Sequence, residues 1–258
     1  MRLTELKIAN FRGYRDEVVV GVDRLTALIG RNDSGKSTVL DALEVALSDR
    51  KLDASDVCVF AQDGDKVRIE CAFEDLPGEL TLDDSSRTDL EEEYLLDVDR
   101  RLRLRWTWTV KVAEEGNRSA AKPQVHAIAR APLGEGVAGH HEKKNTDLKD
   151  LVEEAGVGDQ CNRSNKPSMR KALWAQAERE GRLELAETEV DLAKEDGKKI
   201  YTQIRNHLPL FVVFRADRPS TDQDAEVQDP MKLAVRAALQ ELADDISDIK
   251  ARVRERSD

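Results

Sequence analysis

The sequence predicts a mixed α/β fold built around a phosphate-binding loop, and three observations predict it. A short apolar stretch, Leu25–Ile29, runs into Gly30-Arg31-Asn32-Asp33-Ser34-Gly35-Lys36-Ser37, and a helix-periodic segment follows at once. Further on, Leu102, Leu104, Trp106, Trp108, Val110 and Val112 alternate with Arg103, Arg105, Thr107, Thr109 and Lys111, the period of an antiparallel strand with one wet face. Near the end, Val235, Leu239, Leu242, Ile246, Ile249 and Val253 recur at alternating spacings of four and three, an a/d seam.

Each element follows from local chemistry. Leu3–Phe11 mixes apolar and polar positions and breaks at Arg12-Gly13-Tyr14. Glu17–Val22 is rich in β-branched residues, and Leu25–Ile29 reads as a strand ending at Gly30. Val39, Leu40, Leu43, Ala46 and Leu47 make Ser37–Ser48 an amphipathic helix. Val67, Ile69, Cys71 and Phe73 alternate as a strand, and a weaker one is expected near Gln124–Arg130, after a turn at Glu114–Pro123. Asp83–Asp99 reads as an acidic loop or short helix, and Gly134–Asn145 as a mobile loop with His140 and His141 in solvent.

Thr146 is expected to cap a helix to Ala155 that Gly156 stops. Pro167 and Ser168 open a second helix reaching Gly181, and a third covers about Lys198–His207. Leu210–Phe214 is a continuous apolar run, as in a covered strand. Asp229 and Pro230 start the C-terminal helix that carries the heptad seam. That helix either packs on the core or forms the root of a coiled coil. The expected organisation is a strand pair, loop and first helix over 1–66, an antiparallel β-subdomain over 67–131 and a helical insertion over 132–208. A core strand and loop over 209–228 and a coiled-coil root helix over 229–258 complete it.

The loop fits triphosphate chemistry position by position. Gly30 and Gly35 let the backbone curl so that successive N–H groups face a β-phosphate. Lys36 brings a point charge to the β- and γ-oxygens, and Ser37 offers a hydroxyl to magnesium. Arg31, Asn32, Asp33, Ser34 and Thr38 complete the cradle and the first helical turn, whose positive end faces the anion. No Asn-Lys-x-Asp stretch for guanine occurs in the sequence, which favours ATP with Mg2+.

Composition narrows the classes. With 52 acidic against 41 basic residues and a net charge of −11, a uniformly basic nucleic-acid binder is excluded, so DNA contact needs a local patch. Arg101, Arg103, Arg105 and Lys111 offer such a patch or a plain solvated strand face. Cys58, Cys71 and Cys161 stand singly, with neither a disulfide framework nor metal-ligand spacing. The N-terminus reads as a strand rather than a signal peptide, and no segment approaches the roughly 20 apolar residues of a membrane span. A cytoplasmic protein is expected.

Leu6-Lys7-Ile8-Ala9-Asn10-Phe11-Arg12-Gly13-Tyr14, followed by the loop and Thr38-Val39-Leu40-Asp41-Ala42-Leu43, closely resembles ABC-type ATPase heads of the RecF, SMC and OLD (overcoming lysogenization defect) group. The resemblance is specific over residues 1–48 and extends weakly to 208–220, which looks OLD-like. It implies a P-loop NTPase N-terminal lobe in which Arg12 reaches the nucleotide and Asn32 faces the γ-phosphate side. Asp217 and Arg218 fall where the group places a magnesium- or water-positioning loop, with Gln62 as another candidate.

No run of four apolar residues before Asp-Glu, the Walker B element, and no Ser-Gly-Gly signature loop occur in the chain. In this group both lie in a C-terminal lobe beyond the arm. The resemblance therefore implies that residues 1–258 are an N-terminal lobe completed by that lobe or by a second protomer. The functions it implies are an ATPase head that regulates DNA repair or an anti-phage nuclease, with a non-catalytic ATP-binding interaction module or an SMC- or RecF-like maintenance head as alternatives.

Overall fold

The computed structural model describes residues 1–213 apart from 33, 49, 84–85 and 115, and the chain divides at Pro209 into two units. The expected C-terminal helix over 229–258, Asp217 and Arg218 lie outside the described residues. Of the expected strand Leu210–Phe214, residues 210–213 form no strand, and Phe214 lies outside the described residues.

An antiparallel sheet organises the first unit. Its strands are β1 (Arg2–Ala9), β2 (Val18–Gly21), β3 (Lys66–Glu74), then, beyond a separate hairpin of β4 (Leu80–Asp83) and β5 (Ser86–Thr88), β6 (Leu102–Val112), β7 (Arg118–Ala120), β8 (Gln124–Leu133) and β9 (Glu184–Asp191). The strand order is β2-β1-β3-β6-β8-β9, with β7 pairing the far end of β6. Four helices accompany it: α1 (Lys36–Leu47), α2 (Asn145–Glu154), α3 (Lys166–Arg179) and α4 (Glu195–His207). Among the described residues, no helix is long and apolar enough to cross a membrane.

Register divides the sheet into two faces of opposite chemistry. Leu6 opposes Cys71, Cys71 opposes Leu104 and Leu104 opposes Ala127, while Ile8, Ile69, Trp106 and Val125 form the next row. All of these are buried, and α1 adds Val39, Ala42, Leu43, Val45 and Ala46 to the core. The alternate row runs Lys7, Glu70, Arg105, His126 and Asp191.

This second face is not the wet face expected of β6. Glu70 and Arg103 are only 4% and 9% exposed. Arg105 Nε donates to Glu70 at 2.7 Å and its Nη1 to Glu189 at 2.5 Å, while Arg103 pairs with Glu70 and Glu187. Burial alone would raise the Glu70 carboxyl, but Arg105 and Arg103 more than offset this and hold it below the ordinary carboxylate range. Arg101 is likewise paired, with Asp97 and Asp99. Three of the four cations considered for DNA contact are thus neutralised by carboxylates.

Several expectations change. Leu25–Ile29 is not a ladder strand: it leads into the loop unpaired, with Leu25 91% and Ile29 93% exposed. A strand needs a neighbour for its N–H and C=O groups, and no described strand flanks this one. Lys144, not Thr146, occupies the N-cap of α2, although Gly156 does follow it in the left-handed region. The N-cap of α3 is Asn165, whose side chain accepts from Ser168 N at 3.0 Å. The stretch expected to be helical also supplies β9, paired to β8 along its whole length.

His140 and His141 are buried rather than solvated, at 1% and 2% exposure. They lie beside Trp174, His140 stacking on its ring at 5.6 Å. Burial pushes the His140 imidazole down to about 4. Beneath this pair, Arg170 of α3 is fully buried and forks onto both Glu93 oxygens at 2.8 Å, while its Nη1 donates to Asp196 of α4 at 2.6 Å. Thr88 adds a bond to Glu93 at 2.8 Å. His141 Nε2 lies 3.2 Å from Glu93, but without hydrogen-bond alignment. Burial by itself would raise the Glu93 carboxyl; neighbouring His141 and Arg170 outweigh it and hold the group at about 2.

Removing one member of such a buried cluster strands the other charges. Glu93→Ala should therefore cost about 3–5 kcal/mol in urea unfolding. Losing the exposed Arg100–Glu91 pair, at 70% and 59% side-chain exposure, should cost at most about 1 kcal/mol.

The two shifted groups also set a pH dependence. The native state keeps His140 neutral, so its contribution is complete above 6.5 and is lost as pH falls towards about 4. Glu93 contributes fully above 4.5 and loses that contribution as pH falls towards about 2. Urea midpoints should drop through both windows in succession, and His140→Gln should flatten only the upper one.

Candidate phosphate-binding site

The loop begins where an unpaired approach segment ends. Leu25–Ile29 delivers the chain to Gly30, Ser34 N closes a turn on Arg31 O at 3.2 Å, and Gly35 turns into α1 with φ +88°. That φ favours glycine at position 35. The space is also taken, because a Cβ there would meet the Tyr14 hydroxyl at 2.5 Å. Tyr14 donates its hydroxyl to Gly35 O at 3.2 Å, so the turn after β1 rests directly on the start of the helix.

The first turn of α1 is prepared for an anion. Its N-cap, Gly35, makes no side-chain cap bond, and no acidic residue lies in the first turn. The leading N–H groups and the positive helix end are therefore available to phosphate oxygens. Lys36 Nζ curls back to donate to Gly30 O at 2.9 Å and Arg31 O at 2.6 Å, with Ser34 Oγ at 3.4 Å. Its charge sits inside the loop, where the oxygens of a β/γ-phosphate would replace these carbonyls as its acceptors. Ser37 is exposed and Thr38 half-buried on the opening turn, while Arg31, Asn32 and Ser34 are exposed around it. Asp33 lies outside the described residues. The donor set fits a triphosphate, and the Ser37 hydroxyl fits magnesium.

The other expected residues are placed differently. Arg12, at φ +48°, turns towards α1: its Nε donates to Asp56 Oδ1 at 2.9 Å and its Nη1 bonds Asp41. Asp56 has no exposed surface and also receives Arg50 Nη1 at 2.8 Å and the Asp53 N–H at 3.1 Å. Arg50 further pairs with Glu44 at 3.1 Å. Burial would lower the Arg50 pKa, but Asp56 outweighs it and raises the value. Gln62 occupies an exposed turn before β3, its N–H donating to Asp65 at 2.8 Å. The structure thus gathers Gly30, Arg31, Ser34, Gly35 and Lys36 in one cradle and joins Arg12 to the flank of α1.

Sequence reasoning missed Tyr14, Asp41, Asp56 and Arg50 as supports of the site. Tyr14 appeared only as the end of a break in β1, and the carboxylates carry no motif. Their role shows only once residues 29 and 44 positions from Arg12 meet it in space.

Residues 1–258, the whole chain, match the family model described as an AAA ATPase domain. The chain belongs to this family. As an AAA ATPase domain it is a nucleotide-binding α/β protein of the P-loop NTPase class, which is what the loop geometry alone supports. Among solved structures, the SMC head domain from Thermotoga maritima is similar at 15% identity and a TM-score of 0.28, over 59% of this chain and 51% of that one. The match thus spans about half of that chain's length. A comparison with curated proteins gives no match.

The contact between Gly35 and Tyr14 makes a coupled prediction. Gly35→Ala should lower both the melting temperature and the affinity for a fluorescent ATP analogue, through φ strain and collision with the Tyr14 ring. Tyr14→Ala in the same chain should recover part of both losses, giving a non-zero interaction energy in a double-mutant cycle.

Proposed function

We propose that this chain is the ATP- and Mg2+-binding lobe of an ATPase head that regulates DNA transactions, with an OLD-like role in nuclease control favoured over an SMC- or RecF-like one. The observation that carries the ATP reading is the uncapped start of α1 with Lys36 folded into the carbonyls of Gly30 and Arg31. In this reading Gly30–Thr38 cradles the phosphates, Lys36 neutralises the β/γ-oxygens and Ser37 holds magnesium. Bound magnesium supplies the charge that offsets the triphosphate. Arg12 supports the flank of α1 beside the nucleotide, and Asp217 and Arg218 remain assigned to the loop that orients metal or water. The setting is cytoplasmic.

Hydrolysis in this reading belongs to an assembly with a C-terminal ATPase lobe or a second protomer. Support comes from the strand entering the loop. Leu25 and Ile29 are almost wholly exposed, and Leu40 of α1 is 42% exposed. Large apolar side chains next to a nucleotide loop call for a cover. DNA contact follows from the assembled head and not from the β6 arginines, which are already paired.

Calorimetric titration tests the binding reading. Lys36→Ala should weaken ATP at least tenfold, about 1.4 kcal/mol, and leave adenosine unchanged. Ser37→Ala should abolish most of the magnesium dependence. Equal ATP affinity in wild type and Lys36→Ala would sink the assignment. The purified chain should bind ATP with little turnover. Turnover that rises when a complementary lobe and DNA are added supports the regulatory role, whereas full turnover by the chain alone removes the need for a partner.

A further inference from the structure

A second cavity lies at the opposite end of the P-loop helix. It has a volume of about 530 Å³ and is bounded by Val45–Ser48 at the end of α1, by Trp106 and Trp108 of β6, and by Tyr201 and Arg205 of α4. That volume falls within the range of small-molecule sites, roughly 300–1,000 Å³. None of the loop residues from Gly30 to Thr38 lines it, and a helix of this length separates the two ends by about 18 Å.

Its chemistry has a clear sign. Trp106 and Trp108 are each 4% exposed, and the Trp106 indole N–H already donates to the Tyr201 hydroxyl at 2.9 Å. Trp106 therefore lines the cavity with its polar donor already satisfied. Among the described residues, the charged side chains in the lining are basic: Arg50, Lys51, Lys122 and Arg205. Arg50 is committed to Asp56 and Glu44, whereas Lys51 and Lys122 are exposed.

We propose that this cavity binds an amphipathic organic anion, an aryl or acyl body against the tryptophans with one carboxylate, sulfonate or phosphate group at Lys51 and Lys122. Apolar contact supplies most of the affinity and the two lysines select the charge. The site is separate from the phosphate loop and stands whether or not the loop binds ATP.

The test is a fluorescence titration of the full chain with 8-anilinonaphthalene-1-sulfonate and with its neutral analogue N-phenyl-1-naphthylamine. The sulfonate should bind one site per chain, at least about tenfold tighter than the neutral probe. Lys51→Glu with Lys122→Glu should weaken the sulfonate at least about tenfold and leave the neutral probe within about twofold. Both substitutions lie on exposed side chains, and an unchanged melting temperature confirms that the fold is intact. Lys36→Ala should alter neither probe. Equal affinity of the two probes, indifference to the charge reversals, or loss of sulfonate binding in Lys36→Ala would each overturn the proposal.

Discussion

Asp56 is the constraint on which the phosphate loop's support rests. It has no exposed surface and lies in a short helical turn between α1 and β3, where it collects Arg12 from the turn after β1 and Arg50 from the segment after α1. Its backbone takes part as well, with Arg12 N donating to Asp56 O at 2.8 Å. A buried carboxylate is tolerated only when its oxygens are filled by donors. Both oxygens are filled by guanidinium groups, and those groups bridge to Asp41 and Glu44 on α1. The helix is thereby fixed against the sheet along its length, while Tyr14 fixes its first residue.

The same device recurs elsewhere in the fold. Glu93 and Asp196 hold Arg170 between α3, α4 and the chain leading to β6, and Glu70 holds Arg103 and Arg105 across β3 and β6. Aromatics make up 4% of the sequence, and the interior combines mainly aliphatic side chains with these buried ion pairs. A high proportion of charge therefore does not mean a wet surface. Among the described residues Asp56, Glu70, Glu93, Asp97, Arg103, Arg170 and Asp196 are buried, and each of these carboxylates has a specific arginine partner.

This explains which parts of the architecture were legible from sequence. The glycine-rich loop was legible because its chemistry is local: every group that makes the cradle lies within eight consecutive residues. β6 was legible to the residue, since period two specifies a strand. Period two does not specify what covers each face, so the wet face was misjudged; the partners of Arg103 and Arg105 on β9 are 84 residues away. β9 itself, Glu-Leu-Ala-Glu-Thr-Glu-Val-Asp, fell within the expected helical insertion, because its strand character shows only when those arginines are placed opposite it. Leu25–Ile29 failed in the reverse direction. It has strand composition, but strand formation is a property of a pair, and no described strand flanks it.

The unpaired approach to the loop and the tightly held helix beyond it have a common consequence. On the helix side, Tyr14, Arg12 and Asp56 determine where the N–H groups of α1 point, and they do so without any ligand. On the strand side, residues 26–30 carry no ladder bonds, and the ends of the apolar segment are exposed. The binding half of the site is thus preorganised by contacts within the chain, while the segment that delivers Gly30 carries no ladder bonds among the described residues. Order in that strand and order in the loop are contiguous in the backbone. Order in that segment therefore bears on Gly30, Arg31 and the Lys36 ammonium that their carbonyls hold.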